Sequence, residues 1–179
     1  MNISHAFEKE KSTLTNAQIH RNKYIVLSID LENFFDSFHF GRIMGYFEKN
    51  RNFLFPHNVA VVLAQLACYN GHLPQGAPSS PILTNMICEI LDLRILKLSK
   101  KYKLDYTRYA DDMTFSTNNR AFYEQYTLFI DELKNELTKA GFSLNEQKTR
   151  LSLNISHQGV TGLTVNKKVN VPASYYKTT

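Results

Sequence analysis

The chain has 179 residues, 43% of them hydrophobic and 21% charged, and a chain of this length buries roughly 70% of its unfolded surface without needing a disulfide or metal to hold its core. Its net charge of +5 favours a polyanionic partner weakly. The sequence has neither the apolar run of a secretory signal nor the roughly 18 apolar residues of a membrane span, so we expect a cytoplasmic protein that makes no membrane contact.

The first half of the chain predicts one strand followed by helices. Residues 1–22 are polar and are predicted to be irregular or to form a short strand. The segment YIVLSID (Tyr24–Asp30) has the β-branched residues of a buried strand and ends on a carboxylate. Apolar side chains at helical spacing predict helices at His39–Lys49, at Pro56–Asn70, and in a long segment capped by Ser79 or Ser80.

The second half predicts a hairpin, a helix and further strands. The segment LDYTRYADDMTFS (residues 104–116) is typical of two short strands around a tight turn. A helix is predicted at Ala121–Ala140, and the remainder predicts strands with a hairpin turning at Asn166–Lys168. This order of elements predicts an α+β domain in which helices pack on one face of a mainly antiparallel sheet.

Three aspartates fall where predicted strands end. Asp111 and Asp112 lie at the tip of the predicted hairpin, and Asp30 ends the first strand. A pair of aspartates in a turn is more often simply solvated, but the strand-forming aromatic residues on both sides favour a position on a sheet. Three carboxylates suit Mg²⁺, which completes its shell with water and substrate phosphates. Two such ions roughly 3.5–4 Å apart activate a 3′-hydroxyl and stabilise a leaving pyrophosphate, with Mn²⁺ as a substitute.

Four segments resemble motifs of one family. Tyr109-Ala110-Asp111-Asp112 resembles the YxDD box of reverse transcriptases, and LSIDLENFFDSF around Asp30 resembles their first catalytic motif. LPQGAPSSPILTN (Leu73–Asn85) resembles the motif that contacts template and nucleotide, and GFSLNEQKTR (Gly141–Arg150) resembles the lysine-bearing motif that follows. The segments occur in the family's order. The resemblance implies a polymerase palm that copies an RNA template onto a DNA or RNA primer with dNTPs.

Two shorter segments narrow the resemblance. Asn16–His20 (NAQIH) resembles the NAxxH signature of retron reverse transcriptases, and Val160-Thr161-Gly162 resembles their VTG signature. A retron-type enzyme implies a cognate structured non-coding RNA, an effector protein and a role in antiviral defence.

The resemblance also assigns roles to individual residues. Asp30, Asp111 and Asp112 would hold the two metal ions, and the backbone carbonyl of Leu31 would add a ligand. Phe35 would exclude a ribose 2′-hydroxyl, although the residues alone also allow it to be an ordinary core phenylalanine. Lys148 would protonate or neutralise the departing pyrophosphate, and the alternative is an ordinary surface lysine.

The remaining roles concern nucleic acid. The residues expected along the incoming nucleotide and template are Gln75, Gly76, Pro78, Tyr109 and Ala110. Thr161, Gly162 and Leu163 would form the primer-gripping hairpin, and Asn16 and His20 would contact the structured RNA. Lys97, Lys100, Lys101, Lys103 and Arg108 form a basic run that either meets phosphates or is simply solvated.

The resemblance predicts a partial enzyme with two parts. Residues 1–22 would be a remnant of the fingers and of the retron-specific region before the palm, and residues 23–179 would be the palm, without a thumb. We therefore expect intact active-site residues but no processive synthesis by this piece alone. The competing hypothesis is a palm module that does not polymerise and instead binds RNA or a partner protein. A nucleotide cyclase is disfavoured because a GGDEF-like loop is lacking and QGAPSSP is present.

Overall fold

Five helices and seven strands lie within residues 3–172, the part of the chain that the computed structural model describes. The helices are α1 (Thr13–Ile19), α2 (Phe40–Lys49), α3 (His57–Ala67), α4 (Ser80–Lys101) and α5 (Phe122–Lys139). The strands are β1 (Ile25–Glu32), β2 (Asp105–Tyr109), β3 (Asp112–Thr117), β4 (Ser143–Leu144), β5 (Arg150–Leu153), β6 (Gly159–Val160) and β7 (Leu163–Thr164). The predicted α+β class is confirmed.

The main sheet is built around β1. This strand pairs antiparallel with β3, β4 and β5, and β2 pairs antiparallel with β3. The strand order is β2-β3-β1-β4, with β5 also paired to β1, while β6 and β7 form a separate two-stranded sheet. The mainly antiparallel sheet predicted from the sequence is therefore present, and its longest strand carries Asp30.

The sheet has one apolar face and one polar face because side chains alternate along each strand. Leu27 lies opposite Phe115 on β3, which in turn lies opposite Tyr106 on β2. The Tyr106 and Phe115 rings stack at 4.8 Å, and Phe129 of α5 meets Phe115 edge-on at 5.1 Å. Burying each such ring stabilises the fold by about 1.5–3 kcal/mol. This aromatic packing anchors α5 to the apolar face.

The polar face carries Ser28 and Asp30 on β1, opposite Thr114 and Asp112 on β3. Thr114 is buried, but Ser28 and Asp30 are only partly buried and Asp112 is exposed, so the aspartate end of this face can contact water or a polar ligand. The apolar face thus stabilises the domain, and the polar face holds the aspartates.

Helix α1 was not predicted and is a correction to the expected irregular segment. Ser12 forms a capping box with Thr15 at its start. Ala17 packs in a buried cluster with Val26, Val160 and Val165, which places α1 against the polar face, away from α5. A seven-residue helix has little stability by itself, so its formation depends on the cap and this packing.

Two compact units divide the chain after Glu32 and again after Ile90. The residues up to Glu32 and those from Leu91 onward form the unit with the main sheet. In the Asn33–Ile90 unit, α2 packs against α3. The predicted separation of residues 1–22 from a palm at 23–179 stays a prediction. No helix within residues 3–172 is both long and apolar enough to cross a membrane.

One predicted helix boundary differs from the structure, and one predicted turn is present. Helix α3 ends at Ala67 and not at Asn70, because Cys68 is already extended. The predicted reversal at Asn166–Lys168 exists, since Thr164 and Asn170 exchange backbone hydrogen bonds of 2.8 and 3.0 Å. A tighter hairpin between β6 and β7 precedes it, at the Thr161–Leu163 segment where the family resemblance implied one.

Candidate active site

The three aspartates lie at one end of the main sheet. Asp30 is directly opposite Asp112, and Tyr109 is opposite Asp112 on the other side. Asp111 occupies the turn between β2 and β3, and its carbonyl accepts a hydrogen bond from the Leu31 N–H at 3.1 Å. Side chains of directly opposed residues point to the same face of a sheet, so Asp30 and Asp112 share the polar face.

The turn at Ala110 makes this arrangement possible. Ala110 has φ of 55°, in the left-handed region that residues other than glycine seldom adopt. This conformation reverses the chain between β2 and β3 and puts the adjacent aspartates at the hairpin tip. The geometry gathers two neighbouring carboxylates that an extended strand would direct to opposite faces.

Lys148 forms an ion pair with Asp30. Its Nζ lies 3.2 Å from Asp30 Oδ1 and 3.3 Å from Oδ2. The lysine follows a turn in which Asn145 Oδ1 accepts from the Lys148 N–H at 3.2 Å, while Asn145 Nδ2 donates to Asp30 Oδ2 at 3.4 Å. The lysine side chain is 64% exposed and that of Asp30 15%, so the ammonium caps the carboxylate from the solvent side.

Partial desolvation, together with the neighbouring carboxylates, shifts the pKa of Asp112. Desolvation, followed by the charges of Asp111 and Asp30, raises the pKa of Asp112 from 3.8 to about 6, and Lys148 opposes the rise. Because the folded-state pKa is the higher one, this group makes the fold less stable as the pH rises from 3.8 towards 6. A bound cation would offset this repulsion.

The donor chemistry of the site fits a hard divalent cation. The available ligands are carboxylate oxygens, which Mg²⁺ prefers, and this ion keeps water or substrate phosphates in its remaining positions. Within residues 3–172, no three carboxylate, histidine or cysteine side chains are already gathered into a metal-holding group. The three carboxylates are the oxygen donors that such a cation requires.

Of the residues predicted to meet the nucleotide and template, Phe35, Gln75, Gly76 and Pro78 belong to the Asn33–Ile90 unit, whereas Tyr109 and Ala110 precede Asp111 on the hairpin of β2 and β3. Phe35 is partly buried, and its ring meets the buried Phe34 edge-on at 5.4 Å. Gln75, Gly76 and Pro78 are exposed, and Gly76 has φ of 88°, which favours glycine at that position. Exposed side chains beside a glycine turn are accessible to a ligand.

The predicted primer-gripping residues form the tight turn between β6 and β7. Val160 pairs with Leu163, which leaves Thr161 and Gly162 as a two-residue loop. Both have positive φ, 46° and 80°, as a type I′ turn requires. The hairpin is thus a defined element, and Gly162 at its tip is exposed.

The structure does not support direct RNA contact by Asn16 and His20, because both residues are fully buried. His20 Nδ1 lies 2.7 Å from Ser116 Oγ, and Nε2 lies 2.7 Å from Thr107 Oγ1. Burial lowers the pKa of His20 to about 3, with smaller contributions from Lys23 and His5. His20, the C-cap residue of α1, therefore joins this helix to the hairpin of β2 and β3.

Arg108 is a second correction. It was grouped with four exposed lysines, but it is fully buried and pairs with Asp92 of α4 at 2.8 Å. Only its position two residues after Tyr106 on an apolar strand face could have indicated burial.

Asn145, which contacts Asp30, was also not identified as part of the site.

Comparison with known proteins agrees with the family motifs. Residues 2–171 match the family model described as reverse transcriptase (RNA-dependent DNA polymerase). The chain is 38% identical over 176 residues to the retron Ec86 reverse transcriptase of Escherichia coli, which covers 98% of this chain and 53% of that protein. It is 31% identical to the retron Mx162 reverse transcriptase of Myxococcus xanthus, covering 91% of this chain and 38% of that protein. The chain thus spans about half, or less, of these relatives.

The fold is also similar to solved telomerase structures. A telomerase from Candida albicans, in complex with a fragment of telomeric RNA, superposes with a TM-score of 0.67 over 94% of this chain and 36% of that one, at 12% identity. Apo telomerase from Candida tropicalis gives a TM-score of 0.59 over 90% of this chain and 34% of that one, at 15% identity. At such low identity the similarity concerns the fold.

Proposed function

The chain belongs to the reverse transcriptase family, and we propose that it is the catalytic core of a retron-type RNA-directed DNA polymerase. It would add dNTPs to the 3′-hydroxyl of a DNA or RNA primer along an RNA template. The observation that carries this proposal is the pairing of Asp30 with Asp112 beside Asp111, on a polar sheet face with Lys148 next to them. The similarity to retron reverse transcriptases supports the retron type.

The aspartates would hold two Mg²⁺ ions, which supply charge neutralisation at the attacking and leaving oxygens. The Leu31 N–H donates a hydrogen bond to the Asp111 carbonyl, so Leu31 lies beside the aspartates. Its own backbone carbonyl would be the additional metal ligand. Lys148 would release Asp30 and contact the leaving pyrophosphate. Its side chain is exposed, and its ammonium sits on a flexible aliphatic stem that allows this change of partner. Most of the rate enhancement would come from positioning and from charge stabilisation.

Other residues would hold the substrates. Phe35 would pack beneath the sugar and exclude a 2′-hydroxyl by steric conflict. The exposed residues Gln75, Gly76 and Pro78 would contact the incoming nucleotide and template, as would Tyr109 and Ala110. The turn of Thr161, Gly162 and Leu163 would contact the primer. A cognate structured RNA and an effector protein are the further partners that a retron-type enzyme would have.

The test is primer extension on an RNA template with purified protein and Mg²⁺. We expect short, non-processive extension that EDTA abolishes and that the double variant Asp111→Asn/Asp112→Asn lacks, because metal binding requires those carboxylates. Asp131→Asn, which changes an exposed aspartate of α5, is the matched control and should extend normally.

Two results would argue against the proposal. Extension that survives loss of both hairpin aspartates would exclude this site as the catalytic centre. Failure of the wild-type chain to extend, combined with retained binding of template RNA, would favour the alternative of a non-polymerising palm module. The partial coverage of the relatives makes that alternative worth measuring directly.

A further inference from the structure

Arg108, the residue immediately before Tyr109-Ala110-Asp111-Asp112, has a fully buried guanidinium. It is the largest fully buried side chain within residues 3–172. A guanidinium cannot lose its charge, so burial requires a paired anion. Asp92, only 5% exposed on α4, supplies it: Nε of Arg108 lies 2.9 and 3.1 Å from the two Asp92 oxygens, and Nη2 lies 2.8 Å from Oδ2.

Tyr106 completes the environment of Asp92. Its hydroxyl donates to Asp92 Oδ1 at 2.9 Å. The carboxylate thus accepts bonds from Tyr106 and Arg108, two residues of the same strand face. This arrangement clamps the end of β2 onto α4 through charge-assisted bonds, which are stronger than neutral ones.

The remaining side of the guanidinium reaches the turn itself. Arg108 Nη1 donates to the Ala110 carbonyl at 3.0 Å. That carbonyl belongs to the same planar peptide as the Asp111 N–H, so the bond restrains the plane on the amino side of Asp111. On its carboxyl side, the Asp111 carbonyl accepts from the Leu31 N–H at 3.1 Å. Both peptide planes that determine the Asp111 backbone are therefore held.

We propose that the Asp92–Arg108 pair positions Asp111 by restraining the Ala110–Asp111 peptide. The consequence for metal binding rests on the proposed function, whereas the restraint itself does not. Ala110 has φ of 55°, which is unfavourable for an alanine, so a bond to this turn helps to offset the backbone strain. Arg108 acts through Asp111 and is a positioning residue.

The planar fork of arginine is essential to this role. One edge of the guanidinium pairs with Asp92 while Nη1 reaches the turn, whereas a lysine ammonium has all its donors on a single atom and cannot span the same separation. Arg108→Lys therefore keeps the charge opposite Asp92 but removes the bond to Ala110. Tyr106→Phe is the matched control, because it removes one bond to Asp92 from the same network and leaves the Arg108–Ala110 bond in place.

Three measurements test the proposal on the full chain. Backbone amide NMR of the metal-free protein reports the Asp111 peptide directly. Titration with Mn²⁺, followed by electron paramagnetic resonance, reports metal affinity, and primer extension reports kcat and KM. For Arg108→Lys we expect a displaced Asp111 amide resonance, weaker Mn²⁺ binding, and a kcat lower by about 10- to 100-fold with little change in KM for dNTP.

The outcomes separate this inference from the proposed function. An Asp111 amide resonance that moves no more in Arg108→Lys than in Tyr106→Phe would overturn the positioning role. If the wild-type chain neither binds Mn²⁺ nor extends a primer, the proposed function fails, yet the amide resonances still decide whether Arg108 holds the turn.

A second variant covers the possibility that Arg108→Lys does not fold. The double variant Asp92→Asn/Arg108→Gln removes both charges together, so no uncompensated ion is buried. It should fold and show the same displaced Asp111 amide. A folded double variant with an unchanged Asp111 amide would contradict the proposal equally.

Discussion

Phe35 differs from the two phenylalanines nearest to it in sequence. Phe34 and Phe38 are 4% and 0% exposed, and their rings meet edge-on at 5.0 Å. Phe35 is only partly buried. The core of this segment is thus provided by its neighbours, which leaves Phe35 available to face a ligand. This difference favours its predicted contact with the sugar over a purely structural role.

At this scale we predict that Phe35→Ala increases ribonucleotide incorporation relative to dNTP incorporation. Removing the ring removes the steric conflict with a 2′-hydroxyl, a discrimination worth on the order of 10- to 100-fold for a well-packed contact. Competing extension assays with dNTP and rNTP measure the ratio. Phe35→Tyr keeps the ring and should keep the discrimination. Equal ratios in wild type and Phe35→Ala would assign Phe35 to packing alone.

Among the elements, the hairpin of β6 and β7 depends most clearly on backbone conformation. Its loop needs positive φ at Thr161 and Gly162. No heavy atom lies within 4 Å of a Cβ built on Gly162, so a side chain there would meet open space. Any cost of substitution therefore comes from the left-handed conformation and not from a clash.

Gly162→Ala should lower the free energy of unfolding by about 1–2 kcal/mol, because alanine disfavours the left-handed region. Gly45 of α2 provides the opposite case, since it also has open space around it but lies within a helix. Gly45→Ala should stabilise the protein by about 0.5–1 kcal/mol. Urea unfolding of both variants measures this difference. Stabilisation by Gly162→Ala would show that the turn is not held in the left-handed region in solution.

For the whole molecule, buried histidines make stability dependent on pH. His20 links α1 to β2 and β3, and burial lowers its pKa from 6.5 to about 3. Burial, with a smaller contribution from Lys11, also lowers the pKa of His5 to about 4. Below pH 6.5 these histidines bind protons in the unfolded chain but stay neutral in the folded one. The free energy of unfolding therefore decreases as the pH falls.

We predict that His20→Gln flattens this dependence. A histidine that stays neutral in the fold contributes a slope of up to about 1.4 kcal/mol per pH unit in the window below its unfolded pKa. Unfolding by urea between pH 7.5 and 4.5, a range of about three units, measures the slope. Above pH 7 the wild-type and variant slopes should coincide, which serves as the internal control. Identical slopes below pH 6 would mean that His20 accepts a proton in the folded state.

The amino-acid sequence by itself determined the family motifs, the strand that carries Asp30 and the hairpin that carries Asp111 and Asp112. These features are local: β-branched runs form strands, a short polar turn joins them, and a motif keeps its order along the chain. The three aspartates that lie at one end of the sheet could therefore be named in advance, together with most helices.

The tertiary structure alone decided which polar residues are buried. His20 bonds to residues 87 and 96 positions away, and Arg108 pairs with Asp92 across 16 positions. Neither contact leaves a periodic signal in the sequence, so α1 was missed and both side chains were interpreted as exposed. A buried polar group is stable only where the folded chain brings it a partner, and that partner is set by packing between distant segments.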